Sequence, residues 1–150
     1  MSQGEVKRAI LLFQREPRSV NARSRPKYQA ELALQAQRTV AAPLRDARLY
    51  GKIYYLHRGR TAIDADNLSK PILDALREVV FLDDAQVVLR TAAIVSLDAG
   101  GIQLAPGSDV LEAIPDFIDL VATQAHLIYV EVGQLGEITL GLGADLGGRI

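Results

Sequence analysis

Residues 64–84 read DADNLSKPILDALREVVFLDD, and the rest of the chain is arranged around this stretch. Leu68, Ile72, Leu73, Leu76 and Val79 or Val80 recur at helical spacing, with Lys70, Asp74, Arg77 and Glu78 off the stripe, which predicts one amphipathic helix. Carboxylates flank it at both ends. If the backbone ahead of the helix is extended, Asp64 and Asp66 point to one face, because side chains alternate along a strand. Lys70 follows Asp66 by four residues, so its ammonium can reach back over the same spot. A strand returning beside the helix after Asp83 and Asp84 would bring a third carboxylate to the first two. Pro71 complicates this picture, since its ring crowds the carbonyl of Asn67 in a regular helix. The expectation is therefore an irregular first turn, or a regular helix that begins near Pro71 and leaves Lys70 in the preceding loop.

Taken singly, each polar residue has an ordinary structural reading. Asp66 or Asn67 can cap the helix, Lys70 can be solvated, and Asp83 and Asp84 can form the tip of a turn. Together, the Asp pair, the amide, the lysine and the Asp-Asp after the helix point to a site.

Upstream of the stretch, residues 48–57 are rich in Leu, Ile and Tyr and predict a strand, with Gly51 as a candidate bulge. His57, Arg58 and Arg60 lead from it to the acidic cluster, and His57 is assigned a structural or DNA-facing role. Further back, Arg15, Arg18, Arg23, Arg25 and Lys27 fall in a loop with Pro17, Ser19, Asn21, Ser24 and Pro26. Guanidinium groups on such a loop can follow a phosphate backbone, although a solvated charged loop is the plainer alternative. A strand over 6–14 precedes this loop and a helix over about 28–42 follows it, with Pro26 near its first turn. Downstream, residues 85–98 form the clearest strand, whose long apolar character predicts a central place in the sheet. Residues 99–125 hold a Gly-Pro loop and an acidic amphipathic segment that Pro115 divides. Residues 126–132 predict a last strand, residues 1–5 a frayed end, and residues 141–150 a flexible tail.

The patterns D-A-D-N-x-x-K from Asp64, D-A-L from Asp74, and D-D before Gln86-Val87-Val88 resemble the signature of the RusA-type Holliday-junction resolvases. That resemblance implies a small homodimer that uses Mg2+, with Mn2+ as a possible substitute, to nick four-way junction DNA symmetrically. It implies catalytic roles for Asp64, Asp66, Lys70 and Asp84, with Asp64, Asp66 and Asp84 as metal ligands. Asn67 and Asp83 become candidates for a supporting or additional ligand role. DNA contact falls to Arg15, Arg18, Arg23, Arg25, Lys27, Arg58 and Arg60. The resemblance lapses over 99–125, which reads as an atypical acidic insertion.

Composition sets outer bounds. A chain of 150 residues predicts a single domain over 1–150 of α+β class: a mixed sheet of about four strands with two to three helices packed on it. No run approaches the roughly 18 apolar residues of a membrane span. The absence of cysteine excludes disulfides and thiolate metal sites and fits a cytoplasmic location. Carboxylate oxygens then favour a hard cation such as Mg2+. The net charge of -1 conceals a split, with 13 Lys and Arg against 4 Asp and Glu in residues 1–60, and 4 against 14 in residues 61–150. A basic surface can therefore meet phosphates despite the overall balance. The leading expectation is a junction-resolving endonuclease. The alternatives are a nuclease for flap or duplex DNA on the same fold, and a non-catalytic nucleic-acid or protein-binding module.

Overall fold

The computed structural model describes residues 8–138, 140, 142 and 143. The expected frayed start and nearly all of the expected 141–150 tail lie outside the described residues. In order, the elements are β1 (Arg8–Phe13), α1 (Arg25–Thr39), β2 (Leu49–His57), α2 (Ala65–Leu76), a 3-10 turn (Asp84–Gln86), β3 (Val87–Ser96), α3 (Val110–Ala113), α4 (Phe117–Thr123) and β4 (His126–Gln134). They form one mixed sheet in the order β1-β4-β2-β3, with β4 antiparallel to β1 and β2, and β2 parallel to β3. This is the expected α+β architecture.

Parallel neighbours cannot be joined by a tight hairpin, and α2 supplies the crossover between β2 and β3. Strand alternation then sorts the core into two layers. Leu11 and Phe13, Leu49, Ile53 and Tyr55, and Ile128, Val130 and Val132 pack under Leu32 and Ala36 of α1 and Leu68, Ile72, Leu73 and Leu76 of α2. On the other face, Leu56, Leu127 and Tyr129 meet Val110 of α3 and Phe117 of α4. The 99–125 segment thus covers the second face of the sheet, and Pro115 divides its two helices as expected.

One expectation about the sheet is overturned: β3 is an edge strand, not a central one. The central places belong to β2 and β4, and seven of the nine residues of β4 are buried. On β3, Val88 and Leu89 are 51% and 39% exposed. A run of apolar residues identifies a strand but not its neighbours, and the late-arriving β4 takes the place between β1 and β2. The irregularity expected at Gly51 falls one step earlier, as a register shift between Leu49 and Tyr50. Helix α1 starts at Arg25 and ends at Thr39, shorter at its end than expected. Among the described residues, no helix is long and apolar enough to cross a membrane.

Candidate active site

Helix α2 begins at Ala65, with Asp64 as its N-cap in extended conformation. The Asp64 carboxylate accepts the Asn67 backbone N–H at 2.8 Å through Oδ1 and the Asn67 Nδ2 amide at 3.2 Å through Oδ2. Asp66 is already helical and stands in the first turn, so the strand alternation expected to align the pair does not operate. Both carboxylates are exposed to solvent at the helix N-terminus, where unsatisfied N–H groups favour negative charge. Asn67 orients Asp64 directly.

Pro71 lies inside the helix and does not interrupt it, which replaces both expected arrangements. Pro71, Ile72 and Leu73 are buried, and Gln29 of α1 donates to the Pro71 carbonyl at 2.9 Å. This packing against α1 and the sheet outweighs the roughly 3 kcal/mol that an interior proline costs. Lys70 therefore keeps its helical position. Its Nζ lies 3.6 Å from Asp74 Oδ2, one turn toward the C-terminus, and so leans away from Asp66. Asp74 also receives Arg25 Nη2 at 3.1 Å. The Lys70–Asp74 spacing of four was legible in the sequence, but the arginine 49 residues away carried no local signal.

The two neighbouring aspartates after α2 differ in their surroundings. Asp83 caps the 3-10 turn in a capping box with Gln86, whose Oε1 accepts the N–H groups of Leu82 and Asp83 at 2.7 and 2.8 Å. Gln86 Nε2 donates to the carbonyls of Leu44 and Asp46, at 3.0 and 2.8 Å, and anchors the turn. The Asp-x-x-Gln spacing was the signal for this cap. Asp84 is exposed instead and lines a cleft with Lys70, Asp74, Phe81, Val87, Val88 and Arg90. Its Oδ2 stands 4.0 Å from Arg77 Nη1.

The structure brings Lys70 and Asp84 to one cleft but does not bring Asp64 and Asp66 to Asp84. In the parallel register His57 lies opposite Ser96, and Leu49 opposite Val87. Asp64 follows the C-terminal end of β2, whereas Asp84 precedes the N-terminal end of β3. Between them runs the 12-residue α2, about 18 Å long at ~1.5 Å per residue. Among the described residues, no three His, Cys, Asp or Glu side chains form a group that could hold a metal ion. A hard divalent cation requires several oxygen ligands in one place. Within one chain the three aspartates do not fit a single ion, because a crossover between parallel strands puts its first and second loops at opposite ends of the sheet.

The basic residues also divide. Arg15 pairs with Glu31 and lies 4.5 Å over the Tyr28 ring, Arg18 reaches Glu16 at 3.5 Å, and Arg25 holds Asp74. Arg58 donates to the Val121 carbonyl at 2.7 Å and so secures the last turn of α4. Arg23, Lys27 and Arg60 are exposed and make no ion pair among the described residues. His57 is buried, with Nδ1 3.1 Å from the Gly59 carbonyl and its ring 5.2 Å from that of Tyr55. Tyr55 Oη is hydrogen-bonded to His126 Nδ1 at 2.6 Å, and burial pushes the Tyr55 phenol up to about 12.

A family model described as Endodeoxyribonuclease RusA matches residues 3–104, about two thirds of the chain. The matched span takes in β1, α1, β2, α2 and β3 and ends before α3. No curated protein sequence matches the chain significantly.

Proposed function

The chain belongs to the RusA family of endodeoxyribonucleases, and from that premise we propose that it resolves four-way DNA junctions by paired nicks, as a cytoplasmic homodimer that depends on Mg2+. The observation that carries this reading is the exposed Asp64–Asp66 pair at the N-terminus of α2, inside the matched span and in a chain whose positive charge is concentrated in residues 1–60. Asn67 holds one member of the pair in place, leaving Asp66 as the freer carboxylate for chemistry. Lys70 and Asp84 share a separate cleft farther along α2. Of the seven basic candidates, Arg23, Lys27 and Arg60 are the ones both exposed and without acidic partners among the described residues, and so the best disposed of that set to hold phosphates.

A symmetric junction needs two nicks placed by twofold symmetry, and a dimer presents two copies of any site in that relation. Phosphodiester hydrolysis in a carboxylate site draws on a divalent cation to supply a nucleophile and stabilise the leaving oxygen. The test is incubation of the purified protein with labelled four-way junction, flap and linear duplex, each with Mg2+ and with EDTA. Metal-dependent paired nicks in the junction alone are expected. Equal cutting of flap or duplex would instead assign a less selective nuclease, and binding without cutting under either condition would reject the enzyme.

A further inference from the structure

The basic candidates of the β1–α1 and β2–α2 loops lie at one end of the sheet, because β1 and β2 both run antiparallel to β4 and so finish on the same side. The opposite end carries two exposed arginines outside that set, Arg45 in the linker from α1 to β2 and Arg90 on β3. We propose that this opposite end is a second DNA-binding surface, in which Arg45 and Arg90 hold backbone phosphates and Gln86 fixes the segment that carries Arg45. This rests on the DNA substrate of the reading above and adds contacts to it.

Arg45 is pinned from both sides. The Leu44 N–H donates to the Val80 carbonyl at 2.7 Å, and Leu44 forms an isolated bridge with Phe81. The carbonyls of Leu44 and Asp46 both accept from Gln86 Nε2, while Gln86 Oε1 takes the N–H groups of Leu82 and Asp83. One side-chain amide therefore ties the linker to the turn ahead of β3. A segment held on both sides has lost most of its backbone freedom before a ligand arrives, so a contact made from it costs less ordering entropy. The Arg45 side chain itself is exposed and makes no ion pair among the described residues.

Arg90 is the only charged residue that β3 carries, and it too is exposed and outside every ion pair among the described residues. It lines the cleft that Lys70 and Asp84 border, where Leu73, Phe81, Val87 and Val88 supply apolar walls. Such walls keep the local dielectric low and focus the field of the charges between them. The carboxylates close to these arginines are already engaged. Asp74 takes both Arg25 and Lys70, Asp84 faces Arg77, and Asp83 accepts a backbone N–H of the turn it caps. Asp46 is next to Arg45 in the chain and does not pair with it. Two guanidinium groups are thus left free to take an outside anion, and a phosphate matches their paired N–H donors.

The spacing of the two basic ends suits a duplex arm. Strand β2 pairs with β3 over its nine residues, so the ends stand about 30 Å apart at ~3.3 Å per residue. Each strand of duplex DNA offers a phosphate about every 3.4 Å along the axis, and an arm running along the sheet therefore meets both ends. Phosphate contacts set the register and orientation of a duplex without reading its sequence. Contacts at two separated points fix the direction of an arm, which a single cluster does not.

The experiment measures binding of the full-length protein to a labelled four-way junction in EDTA over a series of KCl concentrations. It compares wild type with Arg45→Ala, Arg90→Ala, Gln86→Met and the double variant Arg45→Ala, Gln86→Met. Each arginine variant is expected to bind about tenfold more weakly and to lower the salt slope of log Kd by about 0.9. Urea midpoints of both should match wild type, because the side chains are exposed. Gln86→Met keeps the length of the side chain and loses its tether to Leu44 and Asp46. Arg45→Ala is then expected to cost less affinity in the Gln86→Met background than in wild type, since the guanidinium is no longer held in place. An equal cost in both backgrounds would remove Gln86 from the surface. An unchanged slope in either arginine variant removes that residue, and in both it overturns the surface while leaving the nuclease reading intact. A wild type that binds the junction in EDTA but does not nick it in Mg2+ would overturn the nuclease and leave the surface standing. A wild type that does not bind would overturn both.

Discussion

Asp64 has two duties at once, and they can be measured apart. Its side chain caps α2 through Asn67, so Asp64→Ala is expected to lower stability by about 1 kcal/mol as well as activity. Asp66 has no such cap to lose, and Asp66→Asn is expected to leave stability within ~0.5 kcal/mol of wild type. Urea midpoints of the two variants check this, and equal losses would mean that Asp66 also has a structural duty. At this scale the candidate groups were legible in the sequence, where carboxylate, amide and ammonium stand at motif spacing. What was not legible was where each side chain leans. Lys70 turns to Asp74, and Asp74 is fixed by Arg25 at the start of α1, far off in sequence.

Strands and helices were largely readable from periodicity, while their neighbours were not. The apolar run of β3 fits a central strand as well as an edge strand, and periodicity alone does not decide between them; the sheet order does. Pro71 failed as a helix boundary for a similar reason, since burial against α1 is a tertiary effect that local propensity does not contain. The β1–β4–β2 packing makes its own demand at Gly133, where an added Cβ would stand 2.7 Å from Tyr50 Oη and 2.8 Å from Arg8 Cβ. Tyr50 has little room to yield, because its hydroxyl donates to Glu131 at 2.5 Å. Gly133→Ala is therefore expected to cost roughly 1–3 kcal/mol, read as a lower urea midpoint, and an unchanged midpoint would show that the strands can spread.

Across the whole molecule, the separation of charge matters more than its sum. The double variant Arg23→Ala, Lys27→Ala is expected to weaken junction binding and to reduce the salt dependence of log Kd by up to about 2, near 0.9 for each phosphate left without its cation. An unchanged slope would remove the loop after β1 from the interface. Burial has a second global consequence at alkaline pH. Desolvation pushes the phenols of Tyr28 and Tyr55 from 10.0 up to about 12, with the Arg15 charge opposing the shift at Tyr28. Both rings stay neutral in the folded protein while the unfolded chain ionises. Their contribution is therefore fully present below pH 10 and lost as pH rises through about 12. Urea midpoints measured below and above pH 10 should fall accordingly, and flat midpoints would place these phenols in water.

The central claim is that the carboxylates at the start of α2 cut junction DNA, and it is tested most directly by comparing wild type with Asp66→Asn on a labelled four-way junction in Mg2+, measuring binding and cleavage on the same samples. Paired nicks by wild type, with cleavage abolished and junction Kd largely unchanged in Asp66→Asn, is the expected result. Cleavage by Asp66→Asn at the wild-type rate would contradict it.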